Sequence, residues 1–385
     1  MRESLNKPSY SYFGPVLDRP FCAILNSRQN KNPRGADGWV KATINAVRAQ
    51  IGQGNTILSS LGMHTWGLLT WACGHYGGNL IIVHPLYRGE NPEKTISNIT
   101  ADFALDQNRT GFLFFDTDAP ITRPKLAWQE RDAIIVNSAD ILCPVSARPG
   151  GNMSLLIKAS GSSGKTINND FRIEYEKPKS RKIPPLNADA IAARFPAETW
   201  DYLTHWTHTF DGPWPGETSA DYYYAVANSG ENYPRSAFDS LVRILSERKI
   251  RCSECKSKSG DSYVSFTDVP PSEAVKLMRW HARKMRYTFE PFGVSLKRDI
   301  GREIGIKPVT YGNAKTYESL SAKERPYFHP KGKKGDWEPE REWRFIGDFN
   351  LGKLSRDSYI VIVRGRADIA KLSDFTDIEI ISLES

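Results

Sequence analysis

Five cysteines in 385 residues, at positions 22, 73, 143, 252 and 255, are too few and too scattered for a disulfide framework. Their odd number points to a reducing, cytoplasmic setting. Cys252 and Cys255 form a single C-x-x-C with no second pair and no histidine at zinc-ligand spacing, so no metal is expected. The chain also lacks any apolar run of 18 residues, and residues 1–8 hold no apolar leader, which reads as neither secreted nor membrane-spanning. No internal repeat is visible. A dense basic stripe is missing too: the net charge of +8 (52 basic against 44 acidic residues) permits an anionic partner without announcing a dedicated nucleic-acid binder.

What is present is an ordinary globular composition, 39% hydrophobic and 25% charged, with a rich aromatic load of 10 Trp, 16 Tyr and 17 Phe. The length favours two domains. From Phe21 to about Val145, short apolar runs alternate with helical patterns. Phe21–Leu25 and Thr56–Leu58 read as strands, and Trp39–Ile51 and Thr65–Tyr76 as helices. Leu80–Val83, Gly111–Phe115 and Ala133–Val136 are continuous apolar runs suited to buried parallel strands. This order predicts an α/β Rossmann-like doubly wound parallel sheet over residues 1–175, with ligands at the carboxyl ends of the strands. Three loops fall at that edge: Ser27-Arg28, Ser59-Ser60-Leu61-Gly62, and Arg148-Pro149-Gly150-Gly151-Asn152. Each combines small residues, which let a ligand approach the backbone, with donors that suit phosphate. Ser27, Arg28, Ser59, Ser60, Gly62, Arg148, Gly150, Gly151 and Asn152 are therefore the candidate nucleotide-binding residues; ordinary strand-to-helix turns are the alternative. Ala159-Ser-Gly-Ser-Ser-Gly-Lys165-Thr166 satisfies a permissive phosphate-loop pattern, but Phe171–Tyr175 alternates like a strand where a helix is required, so a turn is expected there.

Asn26-Ser27-Arg28, the serine-glycine turn 59–62 and the Arg-x-Gly-Gly-Asn stretch 148–152 resemble the SLOG superfamily, Rossmann-like domains akin to the DNA-processing protein DprA and the LOG phosphoribohydrolases. The resemblance implies a domain that binds nucleotides or NAD-derived signals. The LOG catalytic glutamate is missing from Gly150-Gly-Asn-Met-Ser-Leu-Leu156, so a binding or sensing role is implied rather than phosphoribohydrolase activity.

Residues 176–198 open basic and proline-rich and read as a linker. Residues 199–385 read as a second, α+β domain, with strands near 200–208, 263–268, 292–296, 308–312 and 359–363. An amphipathic helix is expected over 236–249 and a basic one over 272–286. The most charged stretch is Asp336-Trp-Glu-Pro-Glu-Arg-Glu-Trp-Arg-Phe345. If Glu340–Ile346 is extended, Glu340, Glu342 and Arg344 share one face, with Arg341, Trp343 and Phe345 on the other. That pattern fits either a charged soluble edge or a site.

The ordered motifs at 266–268, 293–296, 308–311 and 337–344 resemble uncharacterised abortive-infection families of bacterial phage defence. The same strand order is similar to ADP-ribosyltransferases. That second resemblance implies transfer of ADP-ribose from NAD, or NAD hydrolysis, with His205, Thr267 and Glu342 (or Glu340) as catalytic residues. Arg344, Arg341 and Tyr311 complete the expected cofactor-binding set. His205 reads equally as a hydrogen-bonded core residue. The expected partners are a nucleotide or NAD-derived small molecule, a nucleic acid acceptor and a second copy in a homo-oligomer, with no membrane. The alternative is a non-catalytic nucleic-acid-binding or nucleotide-sensing module.

Overall fold

The computed structural model describes residues 9–161, 164–178, 183–252, 257–281, 286–331, 338–375 and 377–384. It divides into two compact units, Met1–Lys179 with Gly216–Pro234, and Ser180–Pro215 with Arg235–Ser385. Two boundary expectations change. Residues 216–234, read as part of the second domain, complete the first unit: Tyr222, Tyr223 and Val226 of the helix Ser219–Ala227 enter its core. Tyr223 lies so close over Gly67 that a Cβ there would come within 2.1 Å of its hydroxyl. Nor is 183–198 a bare linker, because the helix Ala188–Arg194 buries Ile191 in an apolar cluster with Trp200 and Trp206.

The first unit is built on seven strands: β1 (Tyr10–Phe13), β2 (Phe21–Asn26), β3 (Thr56–Ser59), β4 (Leu80–Leu86), β5 (Thr110–Asp116), β6 (Ile141–Ser146) and β7 (Thr166–Ile167). Their spatial order is β1-β5-β4-β3-β2-β6-β7; β2 to β7 are parallel and β1 is an antiparallel edge. Helices α1 (Gly38–Gly52), α2 (His64–His75), α3 (Pro92–Asp102), α4 (Trp128–Ser138) and α5 (Asn152–Ser160) connect them. The chain steps outward from β2 to β5, then returns to lay β6 on the other side of β2. Strand order reverses between β2 and β6, which is the switch point of a Rossmann-like sheet. Cys22 to Leu25 are at most 1% exposed, as the continuous apolar run required. Ala133–Val136 is not a strand: it lies in α4, whose Ile134, Ile135 and Val136 are buried, while the strand is Ile141–Ser146. Four apolar residues on a helix packed against a sheet give the same signal as a short buried strand.

The second unit carries β8 (Tyr202–Trp206), β9 (Lys249–Ile250), β10 (Tyr263–Thr267), β11 (Trp280–His281), β12 (Arg286–Tyr287), β13 (Gly293–Lys297), β14 (Lys307–Pro308), β15 (Thr310–Gly312), β16 (Phe328–Pro330), β17 (Glu342–Ile346), β18 (Phe349–Asn350), β19 (Tyr359–Val363) and β20 (Ile380–Ser382). Seven of these form a mainly antiparallel sheet, β14-β17-β10-β8-β13-β19-β20, flanked by short helices in an α+β arrangement. The helix over 236–249 is found as Ala237–Glu247, held by a capping box between Ser236 and Asp239. The basic helix over 272–286 is corrected: helix spans only Pro271–Leu277, and β11 then pairs with β12. The Thr288 hydroxyl stops it by donating to the Leu277 carbonyl at 2.8 Å and accepting from the Arg279 N–H at 3.0 Å. Residues 282–285 of that expectation lie outside the described residues.

Register assigns the two faces of this sheet. Thr267 is opposite Thr204 on one side and Glu342 on the other, and Ser295 is opposite Thr204. One face thus holds Thr204, Ser265, Thr267, Ser295, Glu342 and Arg344. The other holds Leu203, His205, Val264, Phe266 and Val294, all but His205 in the unit's main core.

Candidate functional site

At the switch point of the first unit, the loops after β2 and β6 are stitched together. Ser27 N–H donates to the Ser146 carbonyl at 2.8 Å, the Ser27 hydroxyl accepts from Arg148 N–H at 2.8 Å, and Gln29 Nε2 donates to Ser146 Oγ at 2.9 Å. Arg28 and Arg148 are exposed beside this seam, and neither guanidinium has a partner among the described residues. Gly150 supplies a left-handed turn (φ +69°) and Gly151 caps α5 without a side chain, so the first N–H groups of Asn152–Ser154 are left uncapped. The start of α1 differs, because Asp37 takes three hydrogen bonds from Arg34 there.

The third loop does a different job. Ser59 Oγ is 2.8 Å from Thr70 Oγ1, and Ser60 Oγ donates to the Val83 carbonyl at 2.7 Å; both residues are buried. Their hydroxyls hold the loop and are not free for a ligand. Gly62 (φ +94°) sits against the Trp128 ring, where a Cβ would approach to 3.2 Å. Arg131, 1% exposed, donates to the Leu61 carbonyl at 2.7 Å and pairs with Asp132, whose carboxyl burial pushes up. Loop 59–62 is a buttress beside the seam.

Asn26, which opens the Asn26-Ser27-Arg28 stretch of the SLOG resemblance but is not among the candidate binding residues, is the last residue of β2 and 4% exposed. The Thr43 hydroxyl sends its only proton to the Trp39 carbonyl (2.6 Å), so it accepts from Asn26 Nδ2 at 2.9 Å. This fixes the amide and leaves Asn26 Oδ1 without a hydrogen-bond partner among the described residues, at the carboxyl end of β2. A lone amide ending a run of buried apolar residues was the available signal. Lys165 of the phosphate-loop pattern donates to the Asn137 carbonyl at 2.8 Å and to that of Ala139, closing the end of α4; Ser162 and Ser163 lie outside the described residues.

In the second unit, the expected carboxylate pair separates. Glu340 belongs to the turn Glu338–Glu340, and Arg341 adopts a left-handed φ of +42° before β17 begins at Glu342. Glu340 and Glu342 therefore do not share a strand face, and Trp337 lies outside the described residues. Glu342 accepts from Ser265 Oγ (2.8 Å), Arg344 Nε (2.9 Å) and Arg344 Nη2 (2.9 Å). Arg344, 2% exposed, also donates through Nη1 to the carbonyls of Pro326 and Phe328 and lies 4.0 Å over the Tyr263 ring. Four of its five N–H groups are consumed, so it pins Pro326–Phe328 to β17 and is not available for a diphosphate. Arg341 pairs with Asp268 at 2.8 Å and donates to its carbonyl. The Tyr311 hydroxyl accepts from Glu342 N–H at 3.1 Å, and burial pushes its pKa up to about 12. Its ring is 5.5 Å from His329, which burial makes less basic although Glu342 opposes the effect.

Thr267 shares the face of Glu342 but its hydroxyl is spent on the main chain, and His205 does not join this group. Thr267 Oγ1 donates to the Glu340 carbonyl at 2.5 Å and accepts from Val269 N–H. His205 lies on the opposite face, 5.8 Å from the Phe266 ring, and its Nδ1 donates to the Ser265 carbonyl at 2.8 Å. Burial lowers its basicity. The structure thus brings Glu342, Ser265, Arg344 and Tyr311 together but leaves His205 and Glu340 apart from them. Cys252 N–H is bonded to Asp348, and Cys255 lies outside the described residues. Among the described residues no three His, Cys, Asp or Glu side chains are placed to hold a metal, and no helix is long and apolar enough to cross a membrane.

The first unit is a Rossmann-like α/β domain with its open donors at the switch point, and the second is a separate sheet domain. No family model matches the chain, and no curated protein does either. Among solved structures, it is similar to DNA processing protein A from Helicobacter pylori, described for its single-stranded DNA binding mode (14% identity, 41% of this chain and 79% of that one, TM-score 0.29). It is also similar to DprA from Streptococcus pneumoniae (16%, 38% and 49%, TM-score 0.30) and to the Moco carrier protein of Chlamydomonas (12%, 39% and 74%, TM-score 0.25).

Proposed function

We propose that the first unit binds a nucleotide or NAD-derived phosphate ester at the β2/β6 seam. The observation that carries this is that the two loops joined at the seam each carry an exposed arginine, Arg28 and Arg148, with no guanidinium partner among the described residues, and that the loop after β6 leads into the uncapped start of α5. Arginine forks and helix N–H groups complement phosphate oxygens. Asn26 Oδ1, an acceptor without a donor, suits a ribose hydroxyl or base amine on the same molecule. Calorimetric titration with ADP, ADP-ribose and a short oligodeoxynucleotide tests the proposal. Arg28→Ala with Arg148→Ala is expected to weaken binding about tenfold or more, near 1.4 kcal/mol. Failure of all three probes to bind, or unchanged affinity in the double variant, overturns it.

For the second unit we propose transfer of ADP-ribose from NAD, to a nucleic acid or protein acceptor, or NAD hydrolysis. It rests on Glu342, whose carboxylate keeps one unused lone-pair position on Oε2 beside Tyr311 and His329. A carboxylate so placed would stabilise a ribosyl cation. The tight Glu342–Arg344 pair also supports the competing reading, a non-catalytic module in which both residues serve the fold. NAD consumption by Glu342→Gln decides between them: loss of turnover in a folded variant supports the enzyme, and no turnover in the parent protein supports the module.

A further inference from the structure

Among the described residues, the outermost strand of the first unit, β1, pairs on one side only. In its antiparallel pairing with β5, Asp116 N–H donates to the Ser9 carbonyl at 3.2 Å, and the register runs Tyr10 to Phe115 through Phe13 to Phe112. Antiparallel pairs alternate between bonded and non-bonded positions, so Ser9, Ser11 and Phe13 face β5. The main-chain N–H and C=O groups of Tyr10 and Tyr12 therefore point away from the sheet, and those groups have no hydrogen-bond partner among the described residues. Their rings share one face and are 52% and 42% exposed, and Val16 just beyond is 92% exposed. The strand itself, Tyr-Ser-Tyr-Phe, carries no charge or proline to guard this edge.

The spacing of the two tyrosines is self-complementary. The geometry points to a homodimer in which β1 pairs antiparallel with β1 of a second copy about a twofold axis through Ser11. Tyr10 then lies opposite the partner's Tyr12, and Tyr12 opposite the partner's Tyr10. All four outward main-chain groups of each copy find partners, giving four hydrogen bonds and two cross-strand tyrosine pairs. The two seven-stranded sheets become one of fourteen strands, within the range open α/β sheets reach. Four residues bury little area, so the association is reversible, with a Kd on the order of 10 μM.

Sedimentation equilibrium on the full chain over a concentration series tests this. The wild type is expected to pass from monomer to dimer. Tyr10→Lys with Tyr12→Lys places lysine opposite lysine and is expected to weaken the dimer at least about tenfold, as is the matching double glutamate variant. Mixing the lysine and glutamate chains sets Lys against Glu in both pairs and restores association. The Tyr12 ring packs over Gly111 and its hydroxyl donates to the Pro15 carbonyl, so Tyr10→Lys alone serves if the double variants do not fold. A wild type that stays monomeric at about 0.5 mM overturns the proposal. So does a dimer that every folded variant leaves intact, or lysine and glutamate chains that fail to associate when mixed.

Discussion

The two arginine-bearing clusters of this chain use the same chemistry to opposite ends. At the seam of the first unit, Arg28 and Arg148 are exposed with no guanidinium partner among the described residues, and main-chain groups with the side chains of Ser27, Gln29, Ser146 and Tyr175 hold the loops that carry them. In the second unit, Arg344 is closed on Glu342 and two carbonyls, and almost nothing is left over. Residue type does not separate a binding group from a structural one here. The satisfaction of its donors does: a guanidinium whose N–H groups are spent inside the fold has none for a substrate, and one exposed on a loop with none spent has all of them.

The contrast can be broken most sharply at Arg344. Arg344→Met leaves Glu342 and two carbonyls without their donor, and should destabilise the protein by about 3–5 kcal/mol in chemical denaturation. Arg28→Ala with Arg148→Ala should move stability by only about 0.5 kcal/mol. If the two variants cost the same, the distinction between closed and open clusters fails. Next in size is Arg131→Met, which removes the clamp on Leu61 and leaves Asp132 buried without its cation; a loss of about 2–3 kcal/mol is expected, together with weaker ligand binding at the neighbouring seam. Equal ligand affinity would confine loop 59–62 to a purely structural role.

The smallest effect concerns acid. Burial favours the neutral form of Glu90, but hydrogen bonds from His84, Thr95 and the Tyr87 N–H outweigh it and bring the carboxyl to about 2, below its ordinary 4.5. A depressed folded-state value means stability that is complete above pH 4.5 and lost as pH falls toward 2. Glu90→Gln should flatten that part of the stability profile and leave neutral pH little changed. An unchanged acid limb would place the dependence on other carboxylates.

Much of the first unit was legible because a doubly wound sheet writes itself as buried apolar runs between amphipathic helices. The same rule misled at Ala133–Val136, where a helix face packed on the sheet is equally apolar. The seam residues Ser27, Arg28 and Arg148 were readable from loop composition, but the engagement of Ser59 and Ser60 was not, since short hydroxyls look alike whether free or bonded. In the second unit the strands were located within a few residues, yet the site depended on parity between strands far apart in sequence. Thr204, not His205, faces the Glu342 side. A shift of one residue decides that, and no local signal records it. Likewise alternation alone continues β17 back to Glu340, but the left-handed Arg341 turns the chain there.

The return of residues 216–234 to the first unit has a consequence for synthesis. The ribosome delivers β1 to β7 first, but the helix that roofs Gly67 emerges only after the opening segments of the other unit have been made. Until then a groove lined by α2 stands without the rings of Tyr222 and Tyr223, and the nascent first unit is incomplete. Folding is therefore interleaved rather than sequential, and a truncation placed near residue 175 would lack a piece of its own core.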